Sequence, residues 1–228
     1  METVIPIPAM PAIPVLGSLA VFPVRRIYCV GRNYADHARE MGGDPNREPP
    51  FFFGKPNDAV VPGGGAIPYP SLTSNLHYEV ELVVALSKGG RDISSSEAKD
   101  CIFGYAVGID LTRRDLQATA KEKGQPWDTA KGFDQSAPIS PITPVSPGGH
   151  PAAGAIWLSV NGVEKQRGDL AQMTWQVPEV ISHISSFVAL APGDLIFTGT
   201  PSGVGPIVRG DRIRCGIDGL GELEIVVV

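Results

Sequence analysis

The chain is poor in cysteine: Cys29, Cys101 and Cys215 are its only three, widely spaced and without a CxxC pair. A scattered, odd set excludes a disulfide framework or a cysteine zinc site and suits a reducing, cytoplasmic setting. Each cysteine is expected to fill a small gap in a core. Clusters of lysine and arginine are missing too, and 19 basic residues against 24 acidic ones leave a net charge of −5. That balance argues against nucleic acid or an anionic membrane surface as a partner. Charge is absent from residues 3–24, a mostly apolar stretch long enough to resemble a membrane span. However, Pro6, Pro8, Pro11, Pro14 and Pro23 interrupt it, and an interior proline costs a helix about 3 kcal/mol. The only earlier charge is Glu2, whereas a signal peptide begins with a positive region. The stretch therefore reads as an extended arm that packs on its own domain or on a partner subunit, with no targeting segment. Internal repeats and low-complexity tracts are absent as well.

What remains is the composition of a globular protein, 43% hydrophobic and 19% charged over 228 residues. The length suits one large domain, and 27 glycines with 22 prolines call for many turns and short strands. Strands are expected at Arg26–Gly31, Phe51–Phe53, Tyr78–Leu86, Phe103–Asp110, Asp194–Thr198, Asp211–Gly216 and Glu222–Val228. Trp157–Val160, Asn161-Gly162 and Val163–Gln166 spell a hairpin with a two-residue turn. Helices are expected over Asn33–Met41, where Gly42-Gly43-Asp44-Pro45 gives the stop, and over Val177–Leu190. Ser94 with Glu97, and Thr112 with Asp115, fit capping boxes opening two more, the second ending at Gly124. The fold class is α+β and strand-dominated, a rolled or barrel-like mixed sheet. Residues 1–50 are expected to form an arm and a small lid-bearing segment and residues 51–228 the catalytic β-roll domain, with one continuous domain as the alternative.

Glu79 and Glu81 are the first chemical clue. Residues two apart in a strand point the same way, so both carboxylates share a face while Val80, Leu82 and Val84 supply the other. Buried side by side they would repel without a compensating cation, and oxygen ligands favour Mg²⁺, Mn²⁺ or Ca²⁺. On a solvated outer face they would be ordinary surface glutamates. Asp110, ending the apolar run FGYAVGID, either completes an oxygen-rich set or simply caps a turn. His37 and Glu40 lie three apart on a helix, where a carboxylate can orient an imidazole that activates water. Such pairs are also common on exposed surfaces. Arg114 and Gln117 repeat the spacing, and Lys131 follows in WDTAKGF. Gly199–Gly205 is glycine-rich but lacks the GK[ST] of a nucleotide loop, although its amides could hold a carboxylate. His77 is a candidate outer partner on the face of Glu79, while His150 and His183 look structural.

Together the segments GRNYADHAREMG, FGKP, HYEVELVVAL, GYAVGIDLTRRDLQ, PWDTAKGFDQSAP, VNG and GDLIFTGTPSGVG resemble the small, acylpyruvase-like branch of the fumarylacetoacetate hydrolase family. Their order and spacing cover the chain from about residue 26 onward. The resemblance implies a mixed β-roll, a Mg²⁺ (or Mn²⁺) site and a homodimer. It places the metal ligands at Glu79, Glu81 and Asp110, and the water-activating pair at His37 and Glu40. It assigns Gln117 and Lys131 to catalysis and Arg114 and Thr200 to substrate binding. The implied substrates are 2,4-dioxo acids, with fumarylpyruvate of aromatic degradation as first choice. Oxaloacetate decarboxylation is the alternative within the family, and a decarboxylase or isomerase of homoprotocatechuate degradation is a third. A metal-binding subunit or a catalytically silent partner is the reading from another class. A fumaryl carboxylate calls for a cation in the distal pocket, for which Arg32, Arg39, Lys55 and Arg113 are candidates, Arg32 and Lys55 foremost.

Overall fold

The computed structural model describes residues 3–40, 48–146 and 149–228. Met41 and the stop signal Gly42–Pro45 lie outside the described residues. The largest sheet is mixed and has eight strands. In spatial order they are Phe51–Lys55, Arg26–Gly31, Asp194–Phe197, Val80–Leu86, Ile102–Ile109, Ala137–Ile139 and Val60–Pro62, with Thr143–Pro144 beside Ile102–Ile109. A second sheet of five runs Val163–Asp169, Ala155–Val160, Arg212–Ile217, Gly221–Val227 and Gly65–Ile67. Thr112–Arg113, Leu76–Tyr78 and Gly205–Ile207 form a three-stranded sheet. The helices are α1 (Ala35–Glu40), α2 (Arg114–Glu122), α3 (Asp128–Lys131) and α4 (Val177–Phe187). The strand-dominated architecture is the one the sequence predicts. None of the described helices is long and apolar enough to cross a membrane.

Val80–Leu86 sits at the centre because its residues can be buried on both faces. Val80, Leu82, Val84 and Leu86 pack in one cluster with Ile156, Leu158, Ile181 and Ile225. Val83 and Ala85 pack in another with Ile27, Cys29, Ala106 and Phe197. Burying each large apolar side chain here contributes about 1.5–3 kcal/mol, which fixes the register and with it the direction of Glu81. All three cysteines are free and buried. The Asn161-Gly162 turn forms as expected, and φ values of 50° and 80° give the left-handed pair that a two-residue hairpin needs.

Several local expectations differ from the structure. The charge-free arm is partly a hairpin of the domain itself: Ala12–Pro14 pairs with Val21–Pro23, burying Ile13, Phe22 and Val24. The boundary at residue 50 falls between Arg26–Gly31 and Phe51–Lys55, two hydrogen-bonded neighbours of the large sheet. The Ser94–Glu97 pair forms a turn, and only the 3₁₀ turn Ala98–Cys101 follows it. Thr112 and Asp115 do not cap α2. The Thr112 hydroxyl receives a hydrogen bond from Lys131, and Asp115 accepts from Thr73 and Ser74. α4 ends at Phe187, three residues early.

Gly108 pairs opposite Glu81 across the two central strands. A Cβ there would lie 2.6 Å from both the Phe197 ring and Val83. Gly108→Ala is therefore expected to overpack this layer and cost about 1–3 kcal/mol, read as a lowered urea midpoint. An unchanged midpoint would show that the layer has slack.

Candidate active site

Glu79 occupies the single residue between strands Leu76–Tyr78 and Val80–Leu86. Glu81 follows two residues on, and Asp110 stands just past the end of Ile102–Ile109. The Asp110 N–H donates to the Glu79 carbonyl at 2.8 Å, so the two strand ends are tied together. One carboxylate oxygen from each of Glu79, Glu81 and Asp110 falls within a mutual 4.8 Å, and all three side chains are buried. The exposed-glutamate alternative is thereby removed.

Three cations surround this cradle. Lys131 Nζ donates to Glu79 Oε2 at 2.8 Å and to Asp110 Oδ2 and Thr112 Oγ1, both at 2.7 Å. Lys55 Nζ lies 2.8 Å from Asp110 Oδ1, and Arg114 pairs with Glu79. Glu81 instead accepts the Gly199 N–H at 2.7 Å. Burial alone would raise the Glu79 carboxyl, but Lys131 and Arg114 hold it well below the usual range. For Glu81, burial followed by the charges of Asp110 and Glu79 drives it well above. Burial would lower the Lys131 ammonium, yet Asp110 and Glu79 keep it raised. An all-oxygen donor set bridged by a lysine ammonium fits a hard divalent cation.

The second half of the site comes from α1. Asn33 anchors its base, donating to the carbonyls of Thr198 at 2.8 Å and Trp175 at 2.9 Å and accepting from Trp175 N–H at 2.7 Å. His37 Nδ1 lies 3.1 Å from Glu40 Oε2. Glu40 also accepts the Gly203 N–H at 3.2 Å through both oxygens. Gly203 has φ +96°, and a Cβ would sit 2.1 Å from the Lys165 carbonyl, so glycine is required at this contact. Burial lowers the His37 pKa, with Glu79 and Glu40 opposing in part.

His37, Glu79, Glu81, Lys131 and Thr200 line one pocket with Arg114, Gln117 and Lys121 of α2. Arg114 Nη1 donates to Gln117 Oε1 at 2.6 Å and Nε to His77 Nδ1 at 3.3 Å. Burial, and then Arg114, lower His77 to about 4, so it stays neutral beside Arg114. Arg32, Phe51, Phe53 and Trp127 line it as well. Of the distal cations, Arg32 reaches the pocket. Lys55 does not line it, because its amine is spent on Asp110 and on the carbonyls of Leu111 and Lys131. Arg39 is exposed against Asp36, and Arg113 lies over Phe133 and bonds the Thr129 carbonyl. Lys121 was not among the sequence candidates, although it sits four residues beyond Gln117 and seven beyond Arg114, on the same helical face.

Residues 26–228 match the family model for the fumarylacetoacetate (FAA) hydrolase C-terminal domain. The chain belongs to this family. A crystal structure of fumarylpyruvate hydrolase from Pseudomonas aeruginosa, in complex with Mn²⁺ and pyruvate, superimposes with a TM-score of 0.97. It is 54% identical, and the match covers 100% of this chain and 99% of that one. The oxaloacetate tautomerase FAHD1 of Mus musculus is 44% identical over 203 residues, 89% of this chain and 91% of its own length. An oxaloacetate decarboxylase of Dictyostelium discoideum is 46% identical over 197 residues, 86% of this chain and 90% of its own.

Lys131→Met removes one of the cations balancing the buried carboxylates and is expected to destabilise the metal-free protein by about 3–5 kcal/mol. Added Mg²⁺ should recover more of the melting temperature in the variant than in the parent. Equal, metal-insensitive melting of the two would sink the charge-balance account.

Proposed function

We propose that this chain is a divalent-metal-dependent hydrolase of 2,4-dioxo acids, and that its substrate is fumarylpyruvate, split with one water into fumarate and pyruvate. The observation carrying this reading is one pocket lined by Glu79 and Glu81 of the three-carboxylate cradle and by His37, whose Nδ1 lies beside Glu40. The likeness to the fumarylpyruvate hydrolase bound to Mn²⁺ and pyruvate supports it. A Mg²⁺ or Mn²⁺ ion held by Glu79, Glu81 and Asp110 would supply Lewis acidity to the keto-acid end of the substrate.

The chain's own groups carry the protons. Ionised Glu40 can only accept, so the His37 proton sits on Nδ1 and the Nε2 lone pair is left for water. His37 takes a proton from water as its oxygen adds to the carbonyl beside the fumaryl double bond. The bond to the central methylene then breaks, its electron pair goes to the pyruvate enolate, and carbon protonation releases pyruvate. Arg114 fills Gln117 Oε1, which leaves the Gln117 amide N–H groups for the attacking water or the developing oxyanion. Arg114, Arg32 and Lys121 place positive charge along the walls for a substrate with two carboxylates. Oxaloacetate tautomerisation or decarboxylation is the second reading, favoured by the curated relatives.

Metal-stripped protein assayed by loss of enol absorbance on fumarylpyruvate, acetylpyruvate and oxaloacetate tests the choice. Mg²⁺-dependent turnover favouring fumarylpyruvate is expected, and a preference for oxaloacetate would move the assignment to the second reading. His37→Ala should lower hydrolysis by about 10²–10⁴-fold, while any oxaloacetate decarboxylation that needs no activated water survives.

A base must be neutral to act, so activity should rise with pH through the histidine pKa. Because burial lowers that value, the acidic limb of kcat/KM should have its midpoint below about 6.5, the unperturbed histidine value. Glu40→Gln removes a charge that raises the pKa, so the limb should move further toward acid as kcat falls. A limb above the unperturbed value would exclude neutral His37 as the base.

A further inference from the structure

Gln166, in strand Val163–Asp169, is fully buried and was not among the candidate residues. Its Oε1 accepts the N–H of Val80, the residue between Glu79 and Glu81, at 3.0 Å. Its Nε2 donates at 2.8 Å to the Pro201 carbonyl and at 2.8 Å to Thr200 Oγ1. The orientation of this amide is determined by its partners, because a backbone N–H only donates and a carbonyl only accepts. Nε2 must therefore face Thr200, and the Thr200 oxygen must accept. With that acceptance made, the Thr200 proton is directed away from Gln166. Thr200 lines the pocket beside Gly199, whose N–H holds Glu81.

We infer that Gln166 is a positioning residue that sets the Thr200 hydroxyl as a hydrogen-bond donor to the carboxylate of the pyruvyl half of the substrate. A serine or threonine hydroxyl left free to rotate would as readily turn its proton toward a protein carbonyl and present a lone pair to the anion. The inference rests on the proposed reading that a 2-keto carboxylate sits in this pocket. It does not require that the reaction be hydrolysis.

The test is calorimetric binding of pyruvate to the Mg²⁺-loaded protein, with turnover measured separately. Loss of fumarylpyruvate turnover in the parent with pyruvate binding intact would reject the hydrolase reading and leave this one standing. Thr200→Val is expected to raise the pyruvate Kd about tenfold, the loss of one hydrogen bond to a charged group, whereas Thr200→Ser retains binding. In Gln166→Glu the introduced carboxylate accepts the Thr200 proton and turns it away from the ligand. The ratio of variant to parent Kd should therefore reach about tenfold at pH 8 and shrink toward pH 5 as that carboxyl is protonated. Combining it with Thr200→Val should add less than about twofold, since the two act through one proton. If the acidic variant does not fold, Gln166→Met removes both donors without charge, leaves the Thr200 hydroxyl free to rotate, and should weaken pyruvate to a similar degree. A pH-independent ratio, additive effects in the double variant, or an unchanged Kd overturns the inference.

Discussion

Glu79, Glu81 and Asp110 gather three carboxylates within 4.8 Å of one another where water is excluded, and the surroundings are organised to bear that repulsion. At an effective dielectric of 20, each like-charged pair about 4 Å apart opposes the fold by about 4 kcal/mol. Lys131, Lys55 and Arg114 offset this, but unevenly. Glu79 and Asp110 receive the lysines and the arginine, while among the described residues Glu81 receives the Gly199 N–H alone. The result is a carboxyl held low beside one driven high. A further positive charge would find its strongest partner at Glu81.

The turn after strand Asp194–Phe197 is where the separate parts of the site are joined. Thr198 holds the base of α1 through Asn33, and Gly199 holds Glu81. Thr200 and Pro201 bind Gln166, and Gly203 holds Glu40. The cradle, the pocket hydroxyl and the histidine pair therefore depend on six consecutive residues of backbone. A displacement of this turn moves all three at once, which couples the position of α1 to the state of the cradle.

The strands were legible in the sequence because their residues repeat at the period that burial demands, and Glu79 and Glu81 stood out because that period put two charges on one face. Asp110 could be read from the end of an apolar run. The capping boxes could not. A Thr-x-x-Asp pattern has the same spacing whether its hydroxyl caps a helix or is taken by a lysine nineteen residues away, as Lys131 takes Thr112. Lys55 was assigned to substrate because sequence cannot show that a buried aspartate has already claimed its amine. Gln166 carried no signal at all, since its partners come from the strand after Glu79 and from the turn at Thr200. Lys121 had a readable signal in the spacing of α2.

Hydrolysis, decarboxylation and tautomerisation of keto acids share the same electronic demand, an enolate beside a carboxylate, so the cradle and its cations serve any of them. His37 does not separate hydrolysis from tautomerisation, because a neutral imidazole can take a proton from water or from carbon. Discrimination falls to the aromatic wall of the pocket. There Phe51 and Trp127 meet edge to face with centroids 5.2 Å apart, and Phe53 lies 5.7 Å from the same indole. Arg32 sits 5.8 Å from the Phe51 ring and Lys121 Nζ 5.7 Å from Trp127. A flat wall carrying cations matches a planar, conjugated acyl group that ends in a carboxylate.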